Sequence, residues 1–473
     1  MNWDKLLNNN RLRPSERGDI SDPARNDFES DFGRIIFSPA LRRLHDKAQV
    51  FPLTTDDNIH SRLTHSMEAM SVGYSIGVKI CEKEIFQQKL EKDKYELFRE
   101  IPIIIKNCCL VHDIGNPPFG HFGETIIQNY FENYFNDNKV KQIGFTEEQK
   151  KDFLYFDGNA QGLRVLTKLQ ILNDKYGLNL TYATLASYLK YPHCGTPDKT
   201  RIETKKHGVF YSEEKYFQQI ADKCELKIQQ NSKEVILRHP LSYIVEAADS
   251  ICYLVMDIED AYNKKLVSEN DLYDALKDFA SIKDKVQEIH EDKSEKYKND
   301  NTKVANYRIK IIQILVDLAV KNFIENIDKI EKGEYNQELI FDDKEKIFDS
   351  KKNKELNLAE KLQKICQEKI FTYRDICSLE VTGYSVINGL LDYYIKFIFH
   401  TDKKYQNRAA ALISKSIIKA ALEEKGIDSN DNTKGIEDLD PYYKLKVIVD
   451  FISGMTDQFA LDHYQKISGQ KIT

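Results

Sequence analysis

Helical spacing of apolar residues is the feature that most restricts the fold of this chain. Apolar side chains recur at i, i+3, i+4 and i+7 over long stretches, and sustained two-residue alternation is rare. Because this spacing gives a helix one apolar face, it predicts an all-α, mostly α-helical protein. The clearest segments are a helix over 241–262 and a buried helix in IPIIIKNCCLVHDIG that ends at Gly115. TTDDNIHSRLTHSMEAMSVGYSIGVKIC predicts a third long helix with Thr and Asp caps, and HGVFYSEE near 207–214 indicates a small hairpin.

The chain is long enough for one large domain or for two to three smaller ones. We expect an N-terminal arm at 1–32, a core at 33–265, and a C-terminal helical region at 266–473 packed on that core. The last boundary follows a change in composition, because the chain from about Lys264 to Gln367 becomes rich in Lys and Glu with amphipathic spacing.

Composition restricts the environment and the partners. The net charge of −6 argues against a generally basic nucleic-acid-binding surface. Local basic patches such as KKHGVF and TDKKYQNRAAALISKSIIKAA still offer charge for a phosphate backbone, although a solvated surface explains them equally simply. None of the eight cysteines forms a CxxC pair, the N-terminus has no apolar signal region, and no apolar run reaches spanning length. These features predict a soluble cytoplasmic protein with no membrane partner.

In one short stretch, CLVHDIGNPPFGHFGE, an apolar helix ends in a His-Asp pair. A second His follows after a turn, and a Glu lies three residues after that His. A lone helical His is usually a satisfied core residue. Here, however, histidines cluster within one short window, and each buried imidazole needs its own partner. The clustered histidines are His45, His60, His65, His112 and His121.

The segment HPLSYIVEAADSICYLVMDIEDAY supplies the acidic partners. Wound at 100° per residue, its apolar residues occupy one face and its carboxylates another. No Lys or Arg lies between His239 and Tyr262, although the chain is Lys-rich. The stripe is therefore either a solvated acidic face or a surface whose positive charge comes from a metal ion and a substrate. The absence of Lys and Arg from this helix, when the helices after residue 264 are rich in Lys, favours the second interpretation.

Two imidazoles and two carboxylates from these segments suit a divalent metal ion. His65 supplies a nitrogen, His112 and Asp113 supply a nitrogen and an oxygen from one helix end, and Asp249 supplies a second oxygen. Such a set leaves coordination positions for water or a phosphate oxygen. We expect Gly115 to relax the helix end so that both adjacent residues turn onto one ion.

Several strings together resemble the HD-domain deoxynucleoside triphosphate triphosphohydrolases, the dGTPase family. They are SRLTHS, VHDIGNPPFGHFGE, FDGNAQGLR, LKYP, EAADSICYLVMDIEDA and ISGMTDQFALDHYQKISG, and the resemblance runs from about Gly33 to Gly469. The resemblance implies a mostly α-helical HD fold, one divalent metal ion per active site, and hydrolysis of a dNTP to deoxynucleoside and triphosphate. It also implies a homo-oligomer, with a hexamer favoured, in which the C-terminal region contributes to the pocket and to subunit contacts.

The resemblance assigns roles to single residues. His65, His112, Asp113 and Asp249 look like the metal ligands. His121 looks like the proton-transfer residue, with Glu124 orienting it. Spacing agrees with the second assignment, because a carboxylate at i+3 can hold one ring nitrogen and raise the basicity of the other. A simple pair at a helix start is the structural alternative.

Substrate contacts are implied in the same way. Arg62 lies on the same helical face as His65, so it can reach a phosphate bound at the metal. The resemblance adds Lys190 and Tyr191, the sugar contacts Gln49, Tyr253 and Asp257, and, at the base end, Glu380 and Arg408, one of which a neighbouring subunit can provide. An aromatic ring against C2′ would exclude a ribonucleotide. Each of these residues also has an ordinary structural interpretation, such as an ion pair or a core-edge side chain.

The expected reaction is in-line attack of an activated water at the α-phosphorus of dGTP or another dNTP. Manganese and magnesium are the leading metals, with cobalt, nickel and iron also compatible with His/Asp ligation. Two alternatives stay open. One is another HD phosphohydrolase, either a nucleotidase or a cyclic-nucleotide phosphodiesterase. The other is a dNTP-responsive protein that binds single-stranded nucleic acid, including single-stranded DNA.

Overall fold

The structure of the protein is a computed structural model, and helices dominate it. It describes residues 1–13, 25–54, 56–90, 92–170, 175–230, 233–292, 297, 299–350, 353–431 and 433–471. The helices of the N-terminal part are α1 (Trp3–Leu6), α2 (Asp27–Ile36), α3 (Pro39–Arg43), α4 (Arg62–Cys81), α5 (Glu84–Gln87), α6 (Lys94–Val111), α7 (Gly120–Asn136), α8 (Asn138–Lys141), α9 (Glu147–Leu154), α10 (Gly158–Arg164), α11 (Tyr182–Tyr188) and α12 (Glu214–Lys223).

Helices continue through the rest of the chain. They are α13 (Pro240–Asn263), α14 (Glu269–Leu276), α15 (Lys283–Glu291), α16 (Asp300–Glu331), α17 (Leu358–Ile365), α18 (Arg374–Ile398), α19 (Lys403–Ala410), α20 (Lys415–Lys425), α21 (Pro441–Ser453) and α22 (Asp457–Ile467). None of the helices that the structure describes combines the length and the apolar character that a membrane crossing requires.

Strands are a minor component of the described residues. β1 (Lys227–Gln230) pairs antiparallel with β2 (Lys233–Ile236), and β3 (Ile347–Asp349) pairs antiparallel with β4 (Lys354–Leu356). The predicted all-α fold is therefore confirmed. The hairpin predicted near 207–214 is wrong, because that segment is a loop followed by a 3-10 turn at Tyr211–Glu213.

Three long helices form the centre of the molecule: α4, α6 and α13 pack against one another, and α16 covers α13. Gly73 of α4 permits this close packing. A Cβ atom there would lie 2.6 Å from the Cys109 Sγ atom of α6 and 3.4 Å from the Ala248 Cβ atom of α13. The helix ends of α4 and α6 and the middle of α13 are thereby brought to one place.

Buried apolar residues form two clusters. The main cluster unites α4, α6, α11, α13 and α16 and extends from Trp3 to Ala420 along the chain. The second cluster contains Phe119 and the apolar face of α7, and it joins them to α18, α20 and α21. Helix α7 thus packs with C-terminal helices, whereas the three central helices belong to the main cluster.

The proposed division into arm, core and C-terminal region stays a prediction. Part of the arm, residues 14–24, lies outside the described residues. Trp3 and Leu6 of α1 are buried in the main cluster, and the Trp3 indole donates a hydrogen bond to Glu331 of α16.

Local sequence explains the two helix ends that matter most. Helix α4 starts after Ser61, whose side chain and that of Thr64 form a reciprocal capping box, so the predicted Thr and Asp caps are wrong. Helix α6 ends at Val111, just before the His-Asp pair. Helix α13 extends one residue beyond the predicted 241–262 at each end, with Pro240 in its first turn.

Candidate active site

Four side chains predicted to bind metal meet where the central helices converge. We call His65, His112, Asp113 and Asp249 the His–Asp cluster. His65 Nε2 lies 3.1 Å and His112 Nε2 lies 3.2 Å from Asp249 Oδ1, and His112 Nε2 lies 3.6 Å from Asp113 Oδ1. Ligand atoms of His65, His112 and Asp113 all lie within 4.8 Å of one another. The geometry therefore permits one ion to be shared.

Hydrogen bonding leaves ring nitrogens of the cluster available. His112 Nδ1 lies 2.7 Å from the Cys109 carbonyl oxygen and donates to it, which leaves the lone pair on Nε2 in the neutral ring. His112 Nε2 is buried and makes no hydrogen bond among the described residues, although Asp249 Oδ1 lies 3.2 Å away, whereas the Nε2 atom of His65 lies 3.1 Å from the same oxygen. Buried polar atoms are normally paired, so an unpartnered imidazole nitrogen indicates a missing ligand.

The carboxylates of the cluster strongly perturb its titration. Burial lowers the pKa of His112, but Asp113 and Asp249 overcome this and raise it to about 9. Burial would raise the pKa of Asp113, yet Arg62 and His112 hold it well below its usual range. The pKa of Asp249 is likewise depressed against burial, chiefly by His112. Without a metal ion, protonated imidazole therefore supplies the positive charge that the carboxylates need.

Asp113 is held by two neighbours. The Arg62 guanidinium forms an ion pair with Oδ2 at 2.7 Å, and Asn116 Nδ2 donates to Oδ1 at 2.6 Å. Gly115 is not among the residues of positive φ, and its role in letting His112 and Asp113 turn onto one ion stays a prediction. A Cβ atom at Gly115 would instead overlap the backbone of Gly158 and Gly162, so this glycine permits close packing against α10.

Two residues with left-handed backbone conformation, Phe119 at φ 61° and Gly120 at φ 57°, lie at the start of α7. His121 projects from this start with its side chain 75% exposed, and its Nδ1 lies 2.9 Å from Glu124 Oε2. Glu124 is buried, and its Oε1 accepts a hydrogen bond from the Gly158 N–H at 2.7 Å. Glu124 raises the pKa of His121 by its charge and its hydrogen bond. The catalytic role of the pair stays a prediction.

The acidic face of α13 is not solvated. Glu246, Asp257 and Asp260 are all 3% exposed or less. Positive partners do exist, but they come from other segments: Arg238 binds Glu246 at 2.9 Å, and His60 binds Asp260 at 2.7 Å. The solvated-surface interpretation is therefore wrong, and only part of the missing positive charge remains to be supplied by a ligand.

Basic side chains border the cluster on the side of α11. Lys190 Nζ lies 3.7 Å from Asp249 Oδ2 and 3.4 Å from Glu246 Oε1. The ring of Tyr191 is buried between two ammonium groups, with Lys190 Nζ at 5.9 Å and Lys206 Nζ at 6.0 Å from its centroid. Two ammonium groups therefore border this edge of the site.

Sequence reasoning missed Lys206. Its Nζ lies 2.7 Å from Asp157 Oδ2 and 3.8 Å from Glu124 Oε2, so it links the Glu124 side of the site to the Lys190 side. The sequence did give one signal for Lys206, which is that KKHGVF places a pair of lysines in a loop rather than on a helix face.

The predicted sugar contacts also carry unpaired atoms. Asp257 Oδ1 and Gln49 Oε1 are buried with no hydrogen-bond partner among the described residues. Burial and the neighbouring Asp260 raise the pKa of Asp257 well above its usual range. Tyr253 lies one turn after Asp249, and its hydroxyl accepts a hydrogen bond from Gln363 at 3.3 Å.

The two predicted base contacts lie elsewhere in this chain. Glu380 is half-buried on α18, and burial raises its pKa. Arg408 is exposed on α19 and lines an apolar groove of about 220 Å³ with Tyr405 and Leu412. No hydrogen bond or ion pair described in the structure joins either residue to the His–Asp cluster.

Comparison with known proteins agrees with this geometry. Residues 400–466 match the phosphohydrolase-associated domain. The chain is 35% identical to a deoxyguanosinetriphosphate triphosphohydrolase-like protein of Listeria monocytogenes, over 99% of this chain and 100% of that protein. It is 32% identical to the deoxyguanosinetriphosphate triphosphohydrolase of Salmonella typhimurium over 93% of each chain. It is also 32% identical to a deoxyguanosinetriphosphate triphosphohydrolase-like protein of Pseudomonas aeruginosa over 99% of each chain. With full-length identity at this level, the chain belongs to the deoxyguanosinetriphosphate triphosphohydrolase family of enzymes.

Proposed function

We propose that this protein hydrolyses dGTP, and other dNTPs that fit the same pocket, to deoxynucleoside and inorganic triphosphate in a metal-dependent reaction. The observation that carries the proposal is the convergence of two imidazoles and two carboxylates, with the Nε2 atoms of His65 and His112 both within 3.2 Å of Asp249 Oδ1. The names of the full-length relatives support the substrate class.

The donor set suits a divalent ion. Neutral imidazole and carboxylate together are compatible with Mn²⁺ or Mg²⁺ first, and with Co²⁺, Ni²⁺ or Fe²⁺. His65, His112, Asp113 and Asp249 would hold one such ion. When bound, it supplies Lewis-acid polarisation of a phosphoryl oxygen and makes hydroxide available near neutral pH.

Three basic side chains bind the triphosphate in this proposal. Arg62, Lys190 and Lys206 border the His–Asp cluster from different segments, and each is now held by a carboxylate. A triphosphate presents several negative charges, so it can replace those carboxylates as the partner of the ammonium and guanidinium groups.

The deoxyribose is held by Tyr253, Asp257 and Gln49. The unpartnered Oδ1 of Asp257 and Oε1 of Gln49 are suited to accept a hydrogen bond from the 3′-hydroxyl. Tyr253 packs against C2′ and leaves no room for a 2′-hydroxyl, which selects deoxynucleotides over ribonucleotides.

Water attacks the α-phosphorus in line, the bond from that phosphorus to the 5′-oxygen breaks, and His121 transfers a proton to the leaving 5′-oxygen, so that the deoxynucleoside departs and triphosphate remains. Glu124 accepts the Nδ1–H of the ring, which fixes the tautomer and leaves Nε2 to exchange a proton at the scissile phosphate. Glu124 is itself fixed by the Gly158 N–H, so the ring is oriented from a buried support.

The base end of the pocket is completed by a neighbouring subunit. Glu380 and Arg408 are the proposed base contacts. A carboxylate can accept from guanine N1–H and the N2 amine, and an Arg can donate to O6 or N7. On the resemblance to the family, we propose a cytoplasmic homo-oligomer, a hexamer, in which one of the two reaches the site of the next subunit.

Product analysis tests the proposed function. The purified protein is incubated with each of the four dNTPs, with and without Mn²⁺, and phosphate products are separated by ion-exchange chromatography. We expect triphosphate and deoxynucleoside in equal amounts. Inorganic phosphate from a monophosphate would indicate a nucleotidase, and cleavage of a cyclic nucleotide would indicate a phosphodiesterase. Binding of single-stranded DNA with no hydrolysis of any dNTP would refute the proposal. The same assay is run on Asp249→Ala, which removes a proposed metal ligand. Asp284→Ala, which removes an exposed carboxylate on α15, is its control.

A further inference from the structure

Lys47 is a buried lysine beside the His–Asp cluster. Its side chain is almost fully enclosed, and its Nζ donates to the Ser453 carbonyl oxygen at 2.9 Å and to the Asn116 carbonyl oxygen. Both acceptors are neutral, and burial lowers the pKa of the amine to about 7. Burial of an ammonium group without a carboxylate at hydrogen-bond distance costs free energy, so Lys47 lowers the free energy of unfolding when its amine is charged.

The two groups that Lys47 holds lead directly to Asp113. Asn116, whose carbonyl accepts from Lys47, donates its own amide to Asp113 Oδ1 at 2.6 Å. The Arg62 N–H donates to the Lys47 carbonyl oxygen at 2.9 Å, and the Arg62 guanidinium binds Asp113 Oδ2 at 2.7 Å. The Lys47 side chain therefore supports Asp113 Oδ1 through Asn116, whereas the link through Arg62 to Oδ2 uses only the Lys47 backbone.

Asp457 performs the matching task from the C-terminal side. Its Oδ1 accepts the Phe119 N–H at 3.0 Å, and its Oδ2 accepts the Ala48 N–H at 2.9 Å. Phe119 is the left-handed residue that starts α7, and Ala48 follows Lys47. The loop Asn116–Phe119 is thus held at one end by Lys47 and at the other by Asp457.

We propose that Lys47 and Asp457 form a clamp that positions the metal ligand Asp113 through Asn116, so that the C-terminal helices set the geometry of the metal site. The clamp rests on the proposed function only in taking Asp113 as a ligand. Lys47 is a positioning residue, because no described contact joins its side chain to the cluster itself.

Metal affinity tests the clamp without an activity measurement. Mn²⁺ binding is titrated by calorimetry in the metal-free, full-length protein and in Lys47→Met, Asn116→Ala and the double variant. Because supporting residues of a metal site typically contribute 10–100-fold in affinity, each single variant is expected to weaken Mn²⁺ binding by about that factor. If Lys47 acts through Asn116, the double variant binds no more weakly than Asn116→Ala alone.

Lys446→Met is the matched control. Lys446 is equally buried, but its Nζ lies over the Phe210 ring and 3.9 Å from Asp152 Oδ2. The same chemical change there should leave Mn²⁺ affinity within about twofold of wild type, as expected for an independent site. A purely structural effect of losing a buried lysine would weaken both variants alike.

Two results would overturn the clamp: a folded Lys47→Met variant that binds Mn²⁺ like wild type, or losses that simply add in the double variant. If Lys47→Met does not fold, the near-isosteric Asp457→Asn decides, because an amide cannot accept both backbone N–H groups and about tenfold weaker Mn²⁺ binding is expected. Unchanged affinity in Asp457→Asn then refutes the clamp. If the wild-type protein binds metal but cleaves no dNTP, the proposed function is refuted. The Mn²⁺ titrations of the variants would then still decide whether the clamp exists.

Discussion

Proton release from His112 should make metal binding steeply pH-dependent. The ring has a pKa of about 9 when no metal is bound, because two carboxylates outweigh the effect of burial. A metal ligand must be the neutral imidazole, so an ion has to displace this proton at any pH below about 9. Apparent affinity therefore rises as pH rises.

The magnitude follows from the pKa. At pH 7 the ring is about two units below its pKa, and displacing the proton costs about 2.7 kcal/mol, since one unit is about 1.36 kcal/mol. Mn²⁺ affinity should rise about tenfold per pH unit between pH 6.5 and 8.5 and level off near pH 9. About one proton should be released per ion at pH 7.

Calorimetric titration in buffers of different ionisation enthalpy measures both quantities. His112→Gln should bind more weakly and lose the slope that His112 contributes. His45→Gln, which changes an exposed histidine paired with Asp46, should keep the wild-type slope. A Mn²⁺ affinity that is constant from pH 6.5 to 8.5, with no proton released, would show that this reasoning about the cluster is wrong.

Three further substitutions address separate parts of the molecule. Asp249→Ala should abolish Mn²⁺ uptake and dGTP hydrolysis together, and retention of either at the wild-type level would contradict its assignment as a ligand. His121→Ala should retain the ion but lower kcat by about 10²–10⁴-fold, the range for a proton-transfer group, and full activity would remove it from the mechanism. For His60, burial lowers the pKa, but Asp260 and Glu68 raise it to about 10. Its stabilising charge is therefore fully present below about pH 6.5 and lost as pH rises through about 10. His60→Gln should lower the melting temperature most at pH 6, and the gap to wild type should narrow by pH 9.5; an equal gap at both pH values would contradict this.

Periodicity predicted the elements whose burial is decided locally. The long apolar stripe of α13 placed that helix to within one residue at each end. The misplaced hairpin has an equally physical reason. Several side chains of HGVFYSEE are buried because this loop packs against other elements, as His207 does against Asp152 of α9. The true hairpin at Lys227–Ile236 is mostly polar and gives little apolar signal.

Long-range partners were beyond prediction from the sequence alone. The charge stripe of α13 was visible, but its neutralisation by Arg238, His60 and Lys190 depends on segments that are distant or outside the helix. The packing of Gly115 against α10 was not predicted for the same reason, because this close approach has no local signature in the sequence. Sequence spacing located the carboxylates of α13, but the fold decides which basic side chain each carboxylate pairs with.

The membership of α7 in the second apolar cluster has a consequence for how the enzyme can be tuned. His121 stands on a helix anchored among C-terminal helices, whereas three of the four predicted ligands lie on, or at the end of, helices of the main cluster. A small displacement of α7 against the main cluster would move His121, the proposed proton-transfer residue, while leaving the four proposed ligands together. Substitutions among the buried apolar residues of α7 and α18, which are not part of the Lys47–Asp457 clamp, are therefore expected to change turnover more than ion retention.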